Sequence, residues 1–159
     1  MSPDREEKFM RMALDLAVEN VTSGRGGPFA VIIVKGDEVI ATGTSRIVAT
    51  NDPTAHAEIS ALQDASARLG TTQFTGCEVY ASCEPCPLCL GALYWARPDR
   101  IYSAATRDDA SASGFADSFV HDEITLEFGG QNVTVTHILE EEASRPFDVW
   151  EQKEDKVRY

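Results

Sequence analysis

The chain has 159 residues, of which 43% are hydrophobic and 25% are charged, as is typical of one soluble globular domain with a filled core. Asp and Glu number 26 against 14 Lys and Arg, so the net charge is −12, and the basic residues form no run. A polynucleotide backbone would be repelled on average, so the charge argues against a nucleic-acid partner.

The first half of the chain combines helix and strand patterns. Residues 4–23 predict an amphipathic helix, because their apolar side chains recur at helical spacing before a glycine-rich loop. Residues 29–34 predict a buried strand that is too short to cross a bilayer, and residues 38–42 predict its hairpin partner. Asp52 followed by Pro53 predicts the start of a second helix, because Asp caps helices and Pro favours the first turn.

The second half continues the alternation. We predict a strand at residues 77–81, a helix at 87–96 and a strand at 100–104, then an irregular segment at 107–119. A fifth strand is predicted at 133–139 and a last short helix at 144–153. The element order predicts a three-layer α/β/α sandwich whose five-stranded mixed sheet carries helices on both faces. Since no repeat or linker divides the chain, residues 1–159 are expected to form a single domain.

The N-terminus is charged and lacks the apolar core of a secretory signal, so a cytoplasmic location without a membrane partner is the expectation. The cysteines agree with this location. Three of the four lie within seven residues, and in a cytosolic chain such clustering favours a metal or catalytic role over disulfides.

Two short stretches carry the chemistry. His56-x-Glu58 is followed after about 25 residues by Pro85-Cys86-x-x-Cys89, the signature of the zinc-dependent nucleobase deaminases. A catalytic zinc takes three protein ligands and keeps one position for water, and His56, Cys86 and Cys89 supply those three. We therefore predict one Zn²⁺ per subunit.

Glu58 lies two residues beyond His56, and residues at that spacing do not share a face of a regular helix. We therefore expect Glu58 to be a proton shuttle for the attacking water and not a fourth ligand. Cys83 also forms a CxxC pair with Cys86, but the pair preceded by proline is Cys86 and Cys89. The alternative is a closed structural zinc with four ligands, in which Cys83 joins the other three and Glu58 has no role.

The chain resembles the cytidine-deaminase-like superfamily, and within it the bacterial guanine deaminases. The similarity covers nearly the whole chain, and its motifs are at residues 26–29, 51–58, 82–92, 94–98 and 114–119 and in the tail that ends in Tyr159. It implies zinc-dependent hydrolytic deamination of guanine to xanthine and ammonia, as part of purine metabolism. It also implies a homodimer in which a C-terminal segment of about 144–159 is exchanged between subunits.

The resemblance assigns roles outside the zinc motif. Asp117 matches a second active-site carboxylate that meets the purine and helps the amine to leave. Phe29 and Trp95 match aromatic walls of the base pocket, and Ala57 would offer its backbone amide to the base. Tyr159 would close the pocket of the partner subunit.

Two positions depart from the family pattern. Ser45 stands where the superfamily usually has an Asn that reads the base edge, and a hydroxyl cannot supply the paired donor and acceptor of an amide. Ala30 replaces a small Gly. These changes leave open a deaminase of another base or nucleoside, such as guanosine, cytosine or ammeline. A tRNA adenosine deaminase, which the charge disfavours, and a non-enzymatic zinc-binding module also stay open at this point.

Overall fold

A computed structural model of the protein describes residues 3–115, 117–127 and 130–157, with the side chains of Pro3 and Asp117 excepted. The chain divides into two compact units, Met1–His121 and Asp122–Tyr159. The helices are α1 Pro3–Thr22, α2 Ile47–Thr50, α3 Ala57–Leu69, α4 Pro87–Ala96, α5 Arg107–Ala112, α6 Asp117–Thr125 and α7 Arg145–Gln152, and the strands are β1 Ala30–Lys35, β2 Glu38–Thr44, β3 Cys77–Cys83 and β4 Arg100–Ala105. None of the helices in the described ranges is long and apolar enough to cross a membrane.

A mixed sheet forms the centre of the first unit. Its strand order is β2-β1-β3-β4, with β1 antiparallel to both of its neighbours and β3 parallel to β4. Alternate residues of a strand face opposite sides of a sheet. Val31 and Ile33 of β1 accordingly pack in one core with α3 and α4, while Ile32 and Val34 pack in another with α1. The predicted α/β/α sandwich is therefore confirmed.

Small residues let α3 lie close to the sheet. The helix presents Ala57, Ala61 and Ala65 to the core, each no more than 1% exposed. On β2, a Cβ placed on Gly43 would lie 2.2 Å from the carbonyl oxygen of Ala57 and 2.5 Å from the amide of Ala61. Only glycine leaves room for this approach, which fixes where the N-terminus of α3 lies.

The helix predicted to start at Pro53 is α3, and it begins four residues later, at Ala57. Asp52 does not cap it, because its Oδ1 atom accepts hydrogen bonds from the Thr54 amide at 2.8 Å and the Thr54 hydroxyl at 2.7 Å. That local Asx turn competes with helix initiation. His56, extended at φ −69° and ψ 159°, is the N-cap residue instead.

The predicted fifth strand is wrong: the sheet has four strands. Residues 133–139 have no regular secondary structure, and Val133, Val135 and Ile138 are mostly exposed. The four strands all belong to the first unit, so within the described part of the second unit this alternating segment has no strand to pair with. An alternating pattern becomes a strand only where a neighbouring strand accepts its hydrogen bonds.

The segment at 107–119, predicted as irregular, contains α5 and the start of α6. The signal that was missed is a capping box, in which the Thr106 hydroxyl accepts from the Asp109 amide and the Asp109 carboxylate accepts from the Thr106 amide. The last helix, predicted at 144–153, is confirmed as α7.

Candidate active site

The three predicted zinc ligands meet at the N-termini of α3 and α4. His56 and Cys86 are the N-cap residues of these helices, and Cys89 lies in the first turn of α4. The Nδ1 atom of His56 lies 3.5 Å from Cys86 Sγ and 3.4 Å from Cys89 Sγ. Tetrahedral zinc with bonds of about 2.3 Å to sulfur and about 2.0 Å to nitrogen would separate such atoms by about 3.5 Å. The donor set therefore fits a zinc ion.

A hydrogen bond couples the two thiols of this group and shifts their pKa values in opposite directions. A hydrogen bond from the Cys89 thiol, assisted by the His56 ring, lowers the pKa of Cys86 to about 4 against the effect of burial. The hydrogen bond to Cys86 and burial raise the pKa of Cys89. Since a zinc ligand must be a thiolate, the second proton leaves when the metal binds.

Cys83 lies outside the ligand group. It ends β3, and its thiol donates to the carbonyl oxygen of Thr106 at 3.5 Å. Among the described residues, the group able to hold a metal consists of His56, Cys86 and Cys89. The alternative closed site therefore lacks its fourth protein ligand.

Glu58 lies in the first turn of α3, where its carboxylate is close to the predicted zinc ligand Cys89. Its side chain is buried, with 8% of the residue exposed. Burial raises the pKa of the Glu58 carboxyl, while hydrogen bonds from its own backbone amide and from the Cys89 thiol act in the opposite direction. A carboxyl with a raised pKa is suited to accepting and returning a proton near neutral pH.

Spacing alone would place Glu58 and His56 on different faces of one regular helix. In the structure His56 precedes the helix and is extended, and both side chains line one cavity. The change of backbone conformation after His56 brings together two residues that a regular helix would separate.

The cavity has a volume of about 230 Å³ and is lined by Phe29, Ser45, Ile47, His56, Ala57, Glu58, Glu84, Cys86, Phe115 and Val120. The rings of Phe29 and Phe115 meet edge to face, with centroids 4.8 Å apart and an interplanar angle of 81°. Such a pair forms a firm aromatic corner suited to a flat ring.

Two further predicted contacts line the cavity. Ser45 is 6% exposed, and its backbone amide donates to the Phe29 carbonyl oxygen at 3.1 Å. Ala57 is the first residue of α3, and the first amides of a helix have no acceptor within the helix. Its N–H group can therefore serve a ligand.

One further predicted contact, Trp95, is not brought to this cavity. Trp95 is 65% exposed and is not among the lining residues, because the period of α4 turns Leu93 and Ala96 into the core and Trp95 outward. Asp117 begins α6, but its side chain lies outside the described residues, as does all of Tyr159.

Sequence reasoning missed four lining residues, which are Ile47, Glu84, Phe115 and Val120. Two of them lie inside motifs that carried the resemblance: Glu84 in residues 82–92 and Phe115 in residues 114–119. The Glu84 carboxylate accepts from the Arg107 amide at 2.9 Å, which ties α5 to the loop before α4.

Comparison with known proteins agrees with this geometry. Residues 3–105 match the family model of the cytidine and deoxycytidylate deaminase zinc-binding region, and the chain belongs to this family of zinc-binding deaminases. Over 153 residues it is 42% identical to guanine deaminase from Bacillus subtilis, an alignment that covers 96% of this chain and 98% of the relative.

Solved structures give the same relationship. A crystal structure of Bacillus subtilis guanine deaminase superposes with a TM-score of 0.94 at 42% identity, covering 100% of this chain and 99% of that one. Guanine deaminase from Nitrosomonas europaea aligns at 36% identity and a TM-score of 0.66, over 73% of this chain and 65% of the other. By sequence, the chain is also similar to a tRNA-specific adenosine deaminase from Aquifex aeolicus, with 36% identity over 76% of this chain and 79% of the relative.

Proposed function

We propose that the protein catalyses the zinc-dependent hydrolytic deamination of guanine to xanthine and ammonia. The observation that carries the proposal is the meeting of His56, Cys86 and Cys89 with the buried Glu58 carboxyl in one aromatic-walled cavity. The nearly full-length similarity to Bacillus subtilis guanine deaminase supports guanine as the base.

The chain's own residues divide the chemistry between them. His56, Cys86 and Cys89 would hold the zinc ion, which supplies a water able to attack at neutral pH. Glu58 would accept a proton from the attacking water as the water oxygen bonds to C2, the carbon that bears the amine, and would pass that proton to the adjacent ring nitrogen. Glu58, with Asp117, would then move the proton of the new C2 hydroxyl to the amine, so that the bond from C2 to the amine nitrogen breaks, the C2 carbonyl of xanthine forms and ammonia departs.

The walls of the cavity orient the base. Phe29 and Phe115 hold the flat ring by aromatic contact, and the Ala57 amide donates to a ring acceptor. Ser45 offers a single hydroxyl to the base edge, which replaces the two-sided contact of an amide. Burial of these groups keeps bulk water away from the reacting carbon.

We also propose that the enzyme works in the cytoplasm as a homodimer. The four cysteines are free thiols, which suits a reducing compartment. Residues from about 144 to 159 would be exchanged between subunits within one deaminase domain, so that Tyr159 closes the partner's pocket. Trp95, exposed on α4, would complete an aromatic wall in that assembly.

A panel of aminated substrates tests the choice of base. Purified zinc-loaded protein is incubated with guanine, guanosine, cytosine, ammeline and an adenosine-containing tRNA anticodon stem-loop, and ammonia release is measured. We expect guanine to be turned over with the highest kcat/KM. If guanine is inert while another compound releases ammonia, the substrate assignment fails, and Ser45 becomes the first residue to explain the difference.

A further inference from the structure

Asn20 is a completely buried polar residue near the end of α1, with 0% exposure. Its side-chain amide donates to the carbonyl oxygen of Gly27 at 2.8 Å and to that of Ser45 at 3.0 Å. These two carbonyls belong to different segments of the chain. One segment leads into β1 and the other leaves β2, and Asn20 joins them.

The backbone of Asn20 holds the same region. Its carbonyl oxygen accepts from the amides of Arg25 at 3.1 Å and Gly26 at 3.2 Å. A Cβ on Gly26 would lie 2.2 Å from the Ser45 carbonyl oxygen and 2.9 Å from the Asn20 side-chain nitrogen. The three residues are therefore packed with no spare space.

Both segments lead directly to the cavity. Phe29 follows Gly27 by two residues and forms half of the aromatic corner, and Ser45 itself lines the cavity. The hydrogen bond from the Ser45 amide to the Phe29 carbonyl oxygen, 3.1 Å long, links the two segments a second time. Asn20 is not among the lining residues, so it acts on the cavity through these neighbours.

The Asn20 side chain also leaves an atom unsatisfied. Its Oδ1 atom is buried and has no hydrogen-bond partner among the described residues. A buried polar atom without a partner lowers stability. Both side-chain N–H bonds of Asn20 are committed to the two segments that form the cavity wall.

We propose that Asn20 is a positioning residue that fixes Ser45 and Phe29 relative to each other and thereby sets the affinity for the base. This role rests on the proposed function for its substrate. The side-chain hydrogen bonds of Asn20 go to the carbonyl oxygens of Gly27 and Ser45, beside residues proposed to hold the base, so the loss of Asn20 should affect binding of the base more than the chemical step.

Asn20→Ala removes both donors and tests the proposal. At a temperature where the variant is folded, we expect KM for guanine to rise about fivefold to tenfold with kcat within about twofold and zinc content unchanged. Amide hydrogen exchange should quicken at residues 26–30 and 44–46. Should Asn20→Ala not fold, Asn20→Ser keeps one donor, and a smaller rise in KM is expected.

Arg5→Met provides the matched control at the other end of α1. Arg5 donates to Asp37 and Glu78, neither of which lines the cavity, so this variant should lose stability with KM unchanged. If Asn20→Ala behaves in the same way, with a lower Tm and a wild-type KM, Asn20 is only structural and the proposal is overturned.

A double-mutant cycle with Ser45→Ala tests whether Asn20 acts through Ser45. If Asn20 acts through Ser45, the effects of the two substitutions on KM are not additive, whereas full additivity would contradict the proposal. The failure of the proposed function would look different. Wild-type protein would then release no ammonia from guanine, while the exchange comparison would still report whether Asn20 holds the two segments.

Discussion

Cys86 and Cys89 hold their sulfur atoms 3.5 Å and 3.4 Å from the Nδ1 atom of His56. Two residues three positions apart at the start of a helix direct their side chains to one side, and Cys86 and Cys89 meet His56 in this way. The residues that form the wall of the cavity are more difficult to predict from the sequence. Phe115 lies between the short helices α5 and α6, and Val120 lies in α6, where the sequence carries little periodicity. The proposed role of Asn20 depends on backbone carbonyls, which a sequence pattern does not reveal.

Replacing single cysteines separates the two readings of the zinc motif. We expect Cys86→Ser to lose most of the bound zinc, since it removes one of three ligands, and Cys83→Ser to keep about one zinc per chain. Metal content after dialysis, measured by atomic emission spectroscopy, gives the answer. Equal zinc loss in both variants would favour the four-ligand site.

At the scale of secondary-structure elements, the sequence correctly predicts the helices and strands that have a local sequence signal. It misplaces the elements that depend on contacts with other segments of the chain. The extents of α1, β1 and α4 follow from apolar periodicity and from proline and glycine boundaries. The start of α3 differs because Asp52 forms a turn with Thr54. The strand predicted at 133–139 is absent because no described strand of its unit pairs with it.

The close contact between β2 and α3 predicts that one methyl group added at Gly43 will destabilise the protein. Gly43→Ala would place a Cβ 2.2 Å from the Ala57 carbonyl oxygen, so α3 must shift. We expect the free energy of unfolding to fall by about 1–3 kcal/mol. Guanine turnover should fall as well, because the N-terminus of α3 carries His56 and Glu58.

Gly91→Ala in α4 is the matched control. A Cβ at Gly91 meets nothing within 4 Å, and alanine favours a helix, so stability should stay equal or rise by about 0.5–1 kcal/mol. Urea unfolding of both variants measures the difference. Equal destabilisation of the two would mean that the close approach at Gly43 does not limit packing.

At the scale of the whole molecule, we expect charge and the proposed assembly to decide which substrates reach the site. A net charge of −12 disfavours a polyanionic substrate and suits a small neutral base. The exchange of the C-terminal segment is a proposal that rests on the family resemblance, and Tyr159 lies outside the described residues.

Removing residues 155–159 tests the proposed role of the tail. We expect guanine turnover to fall at least about tenfold, because an open pocket admits bulk water, while zinc content stays unchanged. Sedimentation of the full chain should show a dimer. A truncated protein that is monomeric and fully active would rule out the exchange.

The proposed reaction depends above all on the buried Glu58 carboxyl, which moves the proton at a zinc-loaded site. Glu58→Gln keeps the size of the side chain and removes its ability to accept a proton, so zinc content should stay at about one per chain while kcat for guanine falls at least about a thousandfold. Zinc content and ammonia release, measured on the same preparation, test this directly. Retention of wild-type turnover by the zinc-loaded Glu58→Gln protein would contradict the mechanism.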